Sequence, residues 1–436
     1  MADKVPGKAW VVTFAGTAIN LCLGILYAWS VWAKVLIKED MAGQVMTGMN
    51  AGWPYLTNAQ AATPFSLCVI MFALLMIPGG RIQDKYGPKV GATTGGLFLA
   101  VGCIVAGLMK SYTGLIFGFG ILGGIGMGIG YAAPTPAALK WFGPHKRGLI
   151  AGLVVGGYGG AALYVSPLAN YLINSGGLSY SFYFLGIMFA AVTIIAGQLL
   201  SWPPAGYVPP AAPVKPGAAA APTVTKVDWV AGDMIKTWQF FALVIMFIGT
   251  TQSGLLVIAF AAKILADTAK GIPFFDTNAW ILASYGGLVN ALGRVGTGMY
   301  SDKIGRGNAY TVNCLVSALC LFALPSIMGA RNLFFLFLAV GIAYWQYGGG
   351  LALMPSFTAD FFGPKNLGFN YGLVFIGWGL GFFMARLGGT IKDVTGSLNW
   401  AFYLSGMVLI VAVILCRITK RPTTTGEKAA TAKAKA

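Results

Sequence analysis

Arg294 stands in a long apolar run, NAWILASYGGLVNALGRVGTGMY, and its nearest acidic residue is Asp302, which begins the polar stretch after it. In a helix, eight residues at ~1.5 Å each set the guanidinium about 12 Å inside the end of the run. That is deep within a hydrocarbon layer ~30 Å thick. A charge at that depth costs at least ~2.5–3.5 kcal/mol and marks a functional position by default. Two kinds of neutralisation are open to it: an anion carried through the site, or a fixed set of backbone carbonyls. No apolar run of the chain holds a carboxylate to pair with it, which favours the anion.

Asn290 lies one helical turn before Arg294 and shares its face, and Gly298 continues that face with room for a ligand or a neighbour. Tyr131, Tyr158, Tyr347 and Trp378 fall near the middle of their apolar runs, and Tyr27 somewhat outward. Phenol and indole donors can hold a carboxylate or hydroxyl while their rings keep water away. Tyr131, nine residues from Lys140, matches the depth of Arg294. The polar patch Thr250 to Ser253 could line the same cavity. Arg386 is expected at the outer membrane surface, reaching toward the headgroups, and Lys34 and Lys38 read as interface anchors. The one histidine, His145, sits in a basic loop, and all six cysteines fall inside apolar runs without a C-x-x-C. No metal or cofactor pattern results. A membrane enzyme would need an acidic pair or a His cluster within the apolar runs, and there is none.

These residues need elements to hold them. Of 436 residues, 57% are hydrophobic and 9% charged, against about 25% charged in soluble domains. The chain is therefore read as an integral membrane protein, built of helices because apolar runs of about 20 residues recur along it. Twelve spans are expected, near 10–33, 60–79, 90–109, 113–135, 148–171, 180–202, 237–262, 278–300, 308–329, 333–357, 367–390 and 398–417. The first is expected to stay as a span, since no short segment ending in small residues precedes it. Residues 203–236 are Pro- and Ala-rich and read as a flexible linker between two six-helix halves, 1–202 and 237–418. Residues 419–436 read as a disordered polar tail. The net charge of +17 is spread over alternate loops, which argues against a nucleic-acid-binding face. Lys and Arg crowd the loops on the side of the two termini, so both termini are expected in the cytoplasm and the chain in the inner (plasma) membrane of a cell.

The halves repeat each other. GRIQDKYG at 80–87 matches GMYSDKIG at 298–305, and WFGPHKRGLIAG at 141–152 matches FFGPKNLGFNYG at 361–372, at nearly one displacement. Two glycine rows, Gly120, Gly124 and Gly128 in the fourth span and Gly148, Gly152, Gly156 and Gly160 in the fifth, predict close helix packing.

A duplicated six-helix unit carrying G-x-x-x-D-K-x-G after the second and eighth spans resembles the major facilitator superfamily along all twelve spans. The resemblance implies an all-α membrane fold of two six-helix halves that rock about a central site. It also implies a gate in which Asp84 and Asp302 each meet the positive end of a helix from the opposite half. The 141–152 motif with GGYG after it, Asn370-Tyr371-Gly372 and the eighth-span arginine look like the oxalate/formate antiporter and monocarboxylate transporter branches. In the oxalate carriers a helix 11 lysine partners the arginine; that position here is Trp378, and one fixed charge implies a monoanion. In vertebrate-type monocarboxylate carriers an aspartate lies four residues before the arginine and helix 1 has a lysine; here these positions are Asn290 and Val31. The expectation is a secondary carrier of a small monocarboxylate of the lactate and pyruvate class, with a proton as the co-transported partner and anion exchange as the alternative. Arg294, Asn290, Tyr131, Tyr347, Tyr27, Tyr158 and Trp378 would bind the substrate.

Overall fold

The computed structural model of the chain describes residues 5–142, 147–208, 228–363 and 366–422, without the side chains at 84, 147–149, 151, 302, 367 and 368. Much of the linker, the polar tail from 423, His145 and the side chains of Asp84, Asp302 and Gly148's neighbours therefore lie outside the described residues.

An apolar segment that cannot reach water must satisfy its backbone internally, and a helix does so within one segment. The spans are α1 (Gly7–Leu36), α2 (Asn58–Tyr86), α3 (Pro88–Met109), α4 (Tyr112–Leu139), α5 (147–176), α6 (178–199), α7 (Trp238–Thr268), α8 (Ile281–Ile304), α9 (Arg306–Gly329), α10 (Leu333–Phe362), α11 (367–395) and α12 (Asn399–Ile418). Ten stretches among the described residues are long and apolar enough to cross a membrane. One of these, Gly152–Leu199, is α5 and α6 together, and α8, made more polar by Arg294 and its C-terminal turn, completes twelve.

Several boundaries differ from expectation, each for a local reason. The loop expected between the fifth and sixth spans is one residue, Gly177, at φ 84°. Only glycine takes that conformation without strain, and the Asn50 side chain accepts the N–H of Leu178 at 2.8 Å to restart the helix. Asp84 and Asp302 lie in the last helical turns of α2 and α8, not in loops. The helices then stop at Gly87 (φ 91°) and Gly305 (φ 85°), the matching glycines of the repeat.

The halves meet along α2 with α11, α5 with α8, and α1 with α7. The repeat extends to a tertiary contact: Trp10 meets Phe142 edge-on at 5.2 Å, and Trp229 meets Phe362 edge-on at 6.0 Å. The α4 glycine row packs as expected, since a Cβ at Gly124 or Gly128 would lie 2.7 Å or 2.6 Å from α2. The α5 row does not. Among the described residues nothing lies within 4 Å of a Cβ at Gly156, and those at Gly152 and Gly160 look across 3.7 Å to Val295 and Ala291 of α8. The tight contacts of α5 fall on Gly157, against the Thr17 carbonyl of α1, and Gly159, against Arg294.

Candidate functional site

Four helices lose regular geometry at mid-membrane, and each break carries or flanks a site residue. In α1 the turn Gly24–Ala28 tightens to a 3₁₀ helix that holds Tyr27. Gly24 is there because a Cβ would sit 2.5 Å from the Tyr158 carbonyl oxygen of α5. In α4 a π-helical stretch, Ile116–Gly123, precedes Tyr131, and the helix breaks at 132–133 before Pro134, which has no N–H to continue the ladder. In α5 the break follows Gly160. In α11 turns at Phe375 and Gly381 isolate the short piece Ile376–Leu380. Gly377 and Gly379 let this piece press between Val244 of α7 and Ala73 of α2, with Trp378 between them turned inward. Such interruptions are tolerated in membrane helices only where they are buried in protein or line a cavity.

The breaks bring residues from both halves together. Arg294 is 5% exposed; its Nε donates to Asn290 Oδ1 at 3.2 Å and its Nη2 to the Tyr27 hydroxyl, also at 3.2 Å. The Tyr27 and Tyr347 hydroxyls share a hydrogen bond of 2.9 Å, and Trp378 Nε1 donates to the Tyr347 oxygen at 2.8 Å. Tyr27 meets the Tyr158 ring edge-on at 5.1 Å, and Tyr158 meets Tyr131 likewise at 5.1 Å. Tyr131 is half-buried and lies within electrostatic reach of Arg294. All seven sequence-selected residues thus fall in one buried cluster.

Their parts differ. The Tyr158 hydroxyl turns to Met127 Sδ at 3.7 Å, so Tyr158 gives the cluster a ring and not a donor. The Thr250 to Ser253 patch is spent elsewhere. Gln346 of α10 donates to the Thr250 carbonyl and hydroxyl, Ser253 donates to Gln346 Oε1, and Gln252 and Ser405 exchange bonds. This network joins α7 to α10 and α12, so the patch ties helices of one half together. Arg386 donates to Thr390, one turn nearer the helix end, as an arginine reaching toward the interface does. Reasoning from sequence missed Phe72 and Phe375, which pack on Trp378 at 4.8 Å and 5.1 Å. It also missed two glycines that make room: a Cβ at Gly159 would lie 2.9 Å from Arg294 Nε, and one at Gly348 would lie 2.7 Å from Asn290 Oδ1. The GGYG motif carried the signal for Gly159; a phenylalanine in an apolar run carries none.

Donor counting defines the chemistry. Guanidinium and indole groups only donate, and both donate into phenol oxygens here. One phenol then donates to the other, which leaves one phenolic hydrogen with no acceptor in the chain of bonds. Asn290 Nδ2 is buried and has no partner among the described residues. Among the described residues the ion pairs lie toward the helix ends and none includes Arg294. The site is positively charged and rich in donors, and it suits a ligand with several acceptor oxygens and a negative charge.

Twelve helices in two halves, broken at mid-membrane around a buried charged site, define a membrane transporter. The chain belongs to the Major Facilitator Superfamily, which it matches over residues 9–351. It is 27% identical to the oxalate:formate antiporter of Oxalobacter formigenes over 411 residues, covering 94% of this chain and 91% of that one. It is 25% identical to the apicoplast pyruvate carrier 1 of Toxoplasma gondii over 443 residues, covering 83% and 79%. Among solved structures, the xylose transporter XylE from E. coli, in a partially occluded inward-open conformation, superposes with a TM-score of 0.64 at 12% identity, covering 95% of this chain and 100% of that one. That likeness concerns the fold.

Proposed function

We propose that this protein is a secondary carrier for a small monocarboxylate of the lactate and pyruvate class, moved with a proton by rocking of the two halves about the central site. The observation that carries the reading is the buried Arg294, without a carboxylate partner among the described residues and surrounded by surplus donors. Arg294 binds the carboxylate through a charge-assisted pair. Asn290 Nδ2 and the free phenolic hydrogen of the Tyr27–Tyr347 pair hold the remaining oxygens. Tyr131, Tyr158 and Trp378 wall the organic part from water. Trp378 stands where the resemblance to oxalate carriers expects a second cation, which favours one negative charge over two. The pyruvate carrier among the relatives supports the same class. Asp84 and Asp302 would gate the end that carries the termini, which faces the cytoplasm of a cell's inner membrane, and residues 203–236 would link the halves.

A second reading, anion exchange, has its own support. An empty carrier must move an Arg294 that no carboxylate neutralises, and arginine does not deprotonate, so return with a second anion on board is favoured. The oxalate:formate antiporter among the relatives points the same way. Uptake of labelled lactate and pyruvate into proteoliposomes separates the two. Symport requires that an inward proton gradient drive accumulation into vesicles with no internal anion. Uptake that depends on internal anion and ignores pH selects exchange, and no saturable uptake of either acid rejects the substrate class.

A further inference from the structure

Asp393 occupies the last turn of α11, where an acidic side chain opposes the dipole of its own helix. It is held by the other half of the molecule. Its Oδ1 accepts the backbone N–H of Asn58 and the Asn58 Nδ2, each at 2.9 Å, and its Oδ2 accepts the N–H of Ala59 at 2.9 Å. Asn58 opens α2, so a carboxylate of one half sits on the positive end of a helix of the other. Thr57 already accepts from the Gln60 N–H of that helix, and Asp393 takes two of the N–H groups that every helix start leaves over. Glu39 accepts from Asn58 Nδ2 at 2.7 Å, while Lys392 turns away to Asp267 at 3.4 Å, on whose other side Lys263 lies at 3.6 Å. One turn before Asp393 the two backbones touch: a Cβ at Gly389 would lie 2.8 Å from both Ala59 Cα and the Asn58 oxygen. At the same end, Lys34 of α1 donates to the Asp276 carbonyl before α8 at 2.6 Å. Toward the end bearing the termini, Arg81 of α2 lies over the Phe369 ring of α11 at 5.7 Å, and among the described residues nothing lies within 4 Å of a Cβ at Gly156 or Gly298.

We propose that Asp393 and Gly389 form a latch that shuts the membrane end opposite the termini: the carboxylate grips the start of α2 while that end is closed, and lets go when the halves rock. The latch rests on the carrier reading above, but its test needs no substrate. Hydrogen–deuterium exchange is measured on the whole protein in lipid nanodiscs, as wild type, Asp393→Asn and Gly389→Ala. The first variant removes the charge; the second keeps it and adds a methyl group that the closed end cannot hold. Both are expected to raise exchange at 166–176 and 280–287, which neither residue touches, and to lower it at 152–160 and 291–300. The change in rate should be roughly 2- to 30-fold, the range of a helix cap. Exchange that changes only at 57–62, or nowhere, reduces Asp393 to a local cap and overturns the latch. Either result leaves the substrate assignment standing, and failure of lactate and pyruvate uptake leaves the latch standing.

Discussion

The guanidinium of Arg294 carries five N–H donors, and its hydrogen bonds to Asn290 and Tyr27 engage only the Nε and Nη2 sides. A lysine keeps the charge but loses the planar fork that meets a carboxylate at two points. Arg294→Lys is therefore expected to lower kcat/KM for uptake by roughly 10- to 100-fold, the worth of one charge-assisted hydrogen bond; uptake at the wild-type rate would contradict the site. The two central tyrosines should part company. Tyr347→Phe strips the acceptor from Trp378 Nε1 and breaks the link to Tyr27, and a rise in KM of about 3- to 10-fold is expected. Tyr158→Phe removes a hydroxyl that faces only a methionine sulfur, and initial rates should stay within about 2-fold of wild type. No loss in either would mean that the phenols act as packing alone, and equal losses in both would put the Tyr158 hydroxyl at the ligand as well.

At the scale of elements, glycine separates helices that touch from helices that face a gap. Gly24→Ala puts a methyl group 2.4 Å from the Ala161 Cβ and 2.5 Å from the Tyr158 carbonyl, and overpacking of this kind costs about 1–3 kcal/mol. A drop in the thermal unfolding midpoint is expected. Gly156→Ala meets open space and should unfold at the wild-type temperature or slightly above, since alanine favours the helix by about 1 kcal/mol. Both glycines stand in apolar runs, and only Gly156 belongs to an evenly spaced row. The even spacing of Gly148, Gly152, Gly156 and Gly160 suggested a packed ridge, while the structure gives the close contacts to Gly157 and Gly159, on the faces turned to α1 and α8.

For the whole molecule, binding energy at the centre must appear as stability, because a ligand that binds only the folded state shifts unfolding by mass action. Pyruvate or lactate at about 100 times its Kd should stabilise the wild type by about 2.7 kcal/mol and leave Arg294→Gln unmoved in a thermal shift assay. A shift of equal size in both would place the anion elsewhere. The site joins helices of both halves, with Tyr27 of α1 bonded to Arg294 of α8 and Tyr347 of α10. A ligand there would touch both halves at once.

The sequence alone determined the class of the protein. Hydropathy fixes the number of spans because bilayer thickness fixes their length. The two repeated motifs fix the halves, and a lone charge far from any acid singles out Arg294. All of these are properties of local composition or of position along one helix. What only the tertiary structure decided depends on which faces of different helices meet. The bond from Tyr27 to Arg294 across the halves, the diversion of the Thr250 to Ser253 patch into a structural network and the grip of Asp393 on α2 arise between residues tens to hundreds of positions apart. A helix face carries no mark of its partner until the other helices are in place.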